Sequence, residues 1–309
     1  MFSGGFTGSI VALVTPMHDS GDIDFESFRK IILWHLEAGT NGIVVNGTTG
    51  ESATLNLNEK IELLKIAVDV VAGRIPVIAG TGSSSTFNTI QETRAAASCG
   101  VDGCLVVTPY YNRPTQQGLY AHYKAVAEST ELPILAYNVP RRTGCDILPA
   151  TLASLAYIKN IVGIKEATGD VQRVAAIQAL AKDRFVLLSG DDANAVEFIR
   201  QGGHGVISVT ANIAPKAMQQ MCAAALNGDF ATAIEIDNKL SLLHSALMAE
   251  SNPIPTKWLL NQLGKITPGI RLPLTTLSQP FHAMLIAALE TIDWSATENA
   301  TANELGALG

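Results

Sequence analysis

Residues 161–165 read Ile-Val-Gly-Ile-Lys, and Glu166 follows. Four apolar or small residues without polar alternation mark a strand buried on both faces, as in a parallel sheet covered by helices. Seven more runs of this kind recur along the chain: 10–15 (IVALVT), 42–46 (GIVVN), 76–79 (PVIA), 103–107 (GCLVV), 134–137 (ILAY), 185–189 (FVLLS) and 205–209 (GVISV). Eight strands is the number that closes a barrel.

Helical patterns separate the strands. Residues 25–38 place Phe28, Ile31, Ile32 and Leu36 on one stripe, and residues 58–71 do the same with Ile61, Leu64, Ala67, Val68 and Val71. Asp24 is a candidate N-cap for the first, Asn56 or Asn58 for the second, and Pro149 opens a later helix. This alternation predicts an α/β chain, a (β/α)8 TIM barrel. After the eighth strand the segments 215–227, 230–250, 255–263 and 280–290 read as helices with no strand between them. The expected organisation is a barrel core over 1–210, a final barrel helix and C-terminal helical appendage over 211–290, and a mobile tail over 291–309.

Composition agrees with an apolar globular chain that has ample material for a core. The chain has 309 residues, 47% hydrophobic and 16% charged, with a net charge of −7. An acidic chain with scattered Lys and Arg argues against a nucleic-acid partner, and no apolar run reaches the ~18 residues of a membrane span. Cys99, Cys104, Cys145 and Cys222 form no CxxC pair and have no His at ligand spacing, so neither a disulfide scaffold nor a zinc site is expected. The N-terminus lacks the pattern of a secretory signal, and a cytoplasmic location is the expectation.

In such a barrel, chemistry is built on the loops at the C-terminal ends of the strands. Lys165 is out of place there, because a lysine closing an apolar strand must be paired or desolvated. Desolvation lowers its pKa and frees an amine that can form a Schiff base with a carbonyl substrate. The alternative is a structural ion pair with Glu166 or another carboxylate, although Glu166 should point to the opposite face. Thr48-Thr49-Gly50 is either a nest for a small carboxylate or an ordinary turn in which Thr49 or Ser52 caps a helix. Tyr137 is either a proton relay or a core tyrosine. Arg141 and Arg142 offer a carboxylate fork, with at least one of them reading as solvated loop charge. Asp191-Asp192 after strand 7 would repel phosphate and reads as a loop hydrogen-bonder rather than a metal site. None of the six His falls at a strand end, and Gly80-Thr81-Gly82 is too short for a dinucleotide motif.

Four separated motifs, Gly47-Thr48-Thr49-Gly50-Glu51, Tyr110-Tyr111-Asn112, Tyr137-Asn138-Val139-Pro140 and Gly163-Ile164-Lys165-Glu166, together resemble the dihydrodipicolinate synthase/N-acetylneuraminate lyase superfamily over residues 6–290. Thr49, the run 108–114 and Arg142-Thr143-Gly144 resemble its bacterial dihydrodipicolinate synthase branch. Sialate lyases typically have Ser in place of Thr48 and lack an arginine at position 142. The resemblance implies a lysine Schiff-base lyase of lysine (diaminopimelate) biosynthesis, with pyruvate and L-aspartate 4-semialdehyde as substrates and no cofactor. It implies Lys165 as nucleophile, Tyr137 as proton donor and acceptor, and Thr48 as a link between Tyr137 and Tyr111 in a proton relay. Thr49 would bind the pyruvate carboxylate and Arg142 the carboxylate of the second substrate, with Gly190 and Ile207 lining the site. Tyr111 would enter the site of a neighbouring subunit, within a homotetramer built from tight dimers. An allosteric lysine pocket would correspond to Ser52, Ala53, Leu57, Lys60, Ser84, Asn88 and Tyr110. The rival readings are another pyruvate aldolase acting on a sugar acid or sialic acid, and a catalytically silent barrel used for binding.

Overall fold

The computed structural model describes residues 5–181 and 185–292. Its strands are β1 (Gly8–Ala12), β2 (Gly42–Val45), β3 (Val77–Gly80), β4 (Gly103–Val107), β5 (Ile134–Asn138), β6 (Ile161–Glu166), β7 (Val186–Ser189) and β8 (Gly205–Ser208). All neighbours pair in parallel, and β8 returns to β1 through Gly8↔Gly205 to Val11↔Ser208, closing the barrel. The α/β barrel read from the sequence is thus the fold. The first strand sits two residues earlier than expected. Its ladder stops because the Val14 N–H is taken by the Asn212 side-chain oxygen at 3.1 Å.

The barrel helices are α1 (Phe25–Glu37), α2 (Leu57–Val71), α3 (Thr86–Ala97), α4 (Gln116–Ala127), the short α5 (Pro140–Thr143), α6 (Pro149–Leu155), α7 (Gln172–Ala181), α8 (Ala195–Arg200) and α9 (Pro215–Leu226). Asp24 caps α1 through the Ser27 N–H. Asn56, not Asn58, caps α2, because Glu59 reaches back to the Asn56 N–H and closes a capping box. The remaining helices are α10 (Phe230–Ala246), α11 (Ile254–Gln262) and α12 (His282–Glu290). α10 is four residues shorter than the 230–250 pattern, because residues 247–252 leave the helix and turn over the barrel mouth. Pro280 lies in a short 3-10 turn, Gln279–Phe281, ahead of α12. Most of the expected tail lies outside the described residues. Of its first two residues, Thr291 is the C-cap of α12 and Ile292 is buried.

Two apolar layers hold the barrel. Ile10, Val44, Ile78, Leu105, Leu135, Val162, Leu188 and Ile207 fill the interior, and a larger cluster packs the outer strand faces against the helices. The alternation breaks once near the site. β5 pairs Ile134 with Ile161 but Leu135 with Gly163, so Val162 is an extra residue in β6. Val162 faces inward and Ile164 outward. An unbroken alternation from Val162 would have turned Lys165 outward; the bulge absorbs Val162 and keeps Lys165 inside, in step with Tyr137. Only glycine fits at 163, where a Cβ would lie 2.3 Å from the Val186 carbonyl oxygen.

Candidate active site

A cavity of about 950 Å³ opens at the C-terminal ends of the strands, between the barrel and residues 244–252. Lys165 projects into it from β6. The residue is only 5% exposed, and no carboxylate lies within ion-pair distance among the described residues. Burial lowers its pKa to about 8; Asp192 opposes the shift and the Arg142 charge adds to it. The lysine therefore holds far more free amine at neutral pH than an ordinary one. The ion-pair alternative fails for a geometric reason. Glu166 points out of the barrel, where Arg173 meets it at 3.2 Å.

Tyr137 stands beside Lys165 in the β5–β6 register, and the lysine Nζ lies 4.5 Å from its ring centroid. Burial pushes the Tyr137 phenol up; Arg142, a hydrogen bond with Thr48 and Arg141 pull the other way. A protonated phenol next to a free amine can donate and recover a proton.

The turn after β2 carries Thr48 and Thr49, both on the cavity wall. Gly50 donates to the Gly47 carbonyl at 3.1 Å, and Glu51 to the Thr48 carbonyl at 3.1 Å. Neither Thr49 nor Ser52 caps α2, whose cap is Asn56. The Asn252 amide donates to Thr49 Oγ1 at 2.8 Å, so that hydroxyl's proton is free to point elsewhere. Beneath the turn, Glu51 adopts a φ of +57°. Its carboxylate meets the buried Lys257 amine at 2.5 Å and accepts the Arg271 N–H at 3.1 Å.

Arg142 lines the cavity, and its guanidinium reaches the Asn252 carbonyl at 3.5 Å. Arg141 also reaches the rim but is largely exposed, 3.9 Å from Asp191; it is the solvated member of the pair. Gly190 lies against the lysine: a Cβ there would come within 3.0 Å of Lys165 Cε and 2.6 Å of Ala167 Cβ. Asp192 uses one oxygen to accept the N–H groups of Val209 and Thr210, both at 2.9 Å, as a loop hydrogen-bonder does. Ile207 is fully buried in the interior cluster and does not line the cavity itself.

Tyr111 lies outside its own chain's cavity. It is 94% exposed with a φ of +73°, a left-handed conformation rare for a bulky residue. Asn112 holds this loop by donating to the Ser84 carbonyl at 2.8 Å. Leu57, Asn88 and Tyr110 are exposed, whereas Lys60 is paired with Glu92 at 2.9 Å. Sequence reasoning missed Asn252, Lys257, Arg173 and His244, which lies on the cavity wall and hydrogen-bonds Thr210 at 2.8 Å.

The model of the dihydrodipicolinate synthetase family matches residues 5–292. The chain belongs to this family. Among its curated relatives, 4-hydroxy-tetrahydrodipicolinate synthase of Methylococcus capsulatus is 57% identical over 271 residues, covering 88% of this chain and 93% of the relative. The synthase of that name from Escherichia coli is 53% identical over 286 residues, covering 92% and 98%. A solved family structure, the chloride-inhibited dihydrodipicolinate synthase of Acinetobacter baumannii complexed with pyruvate, superposes with a TM-score of 0.91 at 51% identity, covering 92% and 98% of the two chains. Another, the synthase of Cyanidioschyzon merolae with lysine bound, gives 0.90 at 38% identity and covers 94% and 99%. As a family member with Lys165 inward and Arg142 beside it, the chain has the equipment of a Schiff-base lyase.

Proposed function

We propose that this dihydrodipicolinate synthase family member condenses pyruvate with L-aspartate 4-semialdehyde to 4-hydroxy-tetrahydrodipicolinate, in lysine biosynthesis. The supporting observation is the desolvated Lys165 beside Tyr137 in a cavity that also holds Thr49 and Arg142. The free amine adds to the pyruvate ketone, and loss of water gives an imine. Tyr137 supplies the proton the leaving hydroxyl needs and recovers one as the imine becomes an enamine. Thr49 and the neighbouring backbone hold the pyruvate carboxylate. The enamine carbon attacks the aldehyde of the second substrate, whose carboxylate sits on Arg142. The substrate's amine then displaces Lys165, closing the ring and regenerating the enzyme, so that one water is released overall. Gly190 leaves room for the lysine to swing.

Thr48 passes protons onward from Tyr137, and Tyr111 completes the relay from a second copy of the chain. An almost fully exposed tyrosine in a strained, pinned loop suits such a crossing. The assembly is a homotetramer of tight dimers. The described cysteines are all unpaired, which suits a reducing compartment, and we place the enzyme in the cytoplasm. Action on a sugar acid or sialic acid is the weaker reading, since the aldehyde partner of pyruvate in those reactions is a neutral polyol that offers Arg142 no carboxylate. The test is borohydride reduction with pyruvate, followed by peptide mass mapping. Trapping at Lys165, lost in Lys165→Ala, is expected; an adduct elsewhere or none removes the mechanism.

A further inference from the structure

Outside the barrel, opposite the reacting face, one guanidinium gathers three segments. In the β5–β6 register Tyr137 pairs with Lys165 inside, and their successors Asn138 and Glu166 pair outside. The Asn138 amide donates to Asp146 at 2.7 Å and to Glu166 at 3.2 Å, while its oxygen accepts the Ile147 N–H at 3.1 Å. Arg173, at the start of α7, closes this set. Its Nε lies 3.2 Å from Glu166, its Nη1 3.0 Å from Asp146, and its Nη2 donates to the Ile147 carbonyl. Glu166 also accepts the Thr168 N–H at 2.9 Å. The Arg173 and Glu166 side chains are 12% and 2% exposed, so solvent screens the pair little. Asp146 and Ile147 follow α5, which carries Arg142.

We infer that Arg173 is a positioning residue for the reaction: from behind the barrel wall it fixes Lys165, Tyr137 and the segment bearing Arg142 relative to one another. It touches no substrate. Its planar fork spans two carboxylates and a carbonyl, which a lysine's single point charge cannot do. The turn bearing Thr49 lies on the other side of the barrel, after β2, and shares no contact with Arg173. The clamp therefore governs the imine partner and the second substrate, and leaves the pyruvate carboxylate site alone.

The proposal rests on Lys165 being the imine-forming amine, and the experiment separates the two. Wild type, Arg173→Met, Arg173→Lys and a control, Ile32→Val in α1, are compared by borohydride trapping with pyruvate, steady-state kinetics and thermal melting. Arg173→Met is expected to lower kcat and raise KM for L-aspartate 4-semialdehyde, roughly 10–100-fold together in kcat/KM, the scale of a misplaced catalytic group. KM for pyruvate should hold. Arg173→Lys should show the same split at smaller size, and carries the test if Arg173→Met does not fold. The control should lose melting temperature with no kinetic change. Wild-type constants in Arg173→Lys, or a fall in melting temperature alone in Arg173→Met, overturn the clamp. Absence of a Lys165 adduct in wild type overturns the function as well.

Discussion

Lys165 and Tyr137 face each other as register partners on adjacent strands, with the lysine nitrogen 4.5 Å from the centre of the tyrosine ring. The amine thus sits against a polarisable face rather than a carboxylate. Its charge is stabilised weakly and its neutral form is accessible, which is the condition a nucleophile needs.

The pH dependence follows from that balance. With the Lys165 pKa lowered to about 8, the rate of imine formation should rise with pH and level off above that value. Arg142 pushes this pKa down and Asp192 holds it up. Arg142→Ala should therefore move the rising limb to higher pH, and Asp192→Asn to lower pH. Stopped-flow imine formation across pH 6–10 on the three proteins checks this; shifts of the opposite sign would disprove the assignment of the two charges.

Stability should rise with pH as well. The unfolded chain binds the Lys165 proton more tightly than the fold does. Between about pH 8 and the ordinary lysine value, the unfolded state therefore holds more protons and stability rises with pH. At pH 7 the buried ammonium is a cost. Lys165→Met should melt higher than wild type at pH 7, with the difference shrinking towards pH 10. Calorimetry at both pH values reads it.

Substrate choice is expected to lie with Arg142. Losing a charge-assisted contact to a carboxylate costs ~1.5–3 kcal/mol, or roughly 10–150-fold in affinity. Arg142→Ala should raise KM for the semialdehyde on that scale while pyruvate still forms its imine. Normal semialdehyde binding in the variant would make Arg142 mere loop charge.

The support beneath Thr49 should behave as a buried pair does. Glu51 and Lys257 are almost wholly buried, with side chains 0% and 3% exposed. Glu51→Gln strands the lysine and should cost about 3–5 kcal/mol, whereas Glu51→Gln with Lys257→Met should recover much of the loss. Denaturant unfolding of the single and double variants gives the comparison, and pyruvate KM should rise in the single variant as the turn loosens.

Feedback by L-lysine should be weak. A diamine effector needs an acid, and Asn88 supplies none. The sequence also suggests that Lys60 repels such a ligand, but Glu92 lies 2.9 Å away and offsets that charge. The expectation therefore rests on Asn88 alone. Half-inhibition at sub-millimolar lysine with subsaturating pyruvate would overturn it.

The barrel was legible because each inner and outer face repeats the same apolar signal, eight times over. Lys165 stood out as a charge in that signal, and the opposed directions of Lys165 and Glu166 followed from strand geometry. What stayed hidden is non-local. Asn252 and Lys257 act across more than two hundred residues on Thr49 and Glu51, and nothing in a helix stripe announces such a pairing. Arg173 reads as an exposed helix charge until β5 and β6 stand side by side. The Tyr111 loop showed its motif but not its left-handed backbone.

The bulge at Val162 absorbs one residue, so that everything after it stays in step with β5. A strand is read in twos, like a frame, and one residue left unabsorbed decides which member of each later pair meets the lumen. Adding a single codon between Gly163 and Lys165, with no second bulge to absorb it, would keep the apolar composition and every motif within reach of recognition. It would nevertheless turn the amine out into the helix layer and bring Glu166 in. Such a chain would still look like a lyase when scanned for its signature residues, yet have its reactive group on the wrong side of the wall. Kinship and competence can therefore part company in this fold by one residue that touches no substrate, and counting positions along β6 past its bulge is a sharper check of activity than the presence of the lysine.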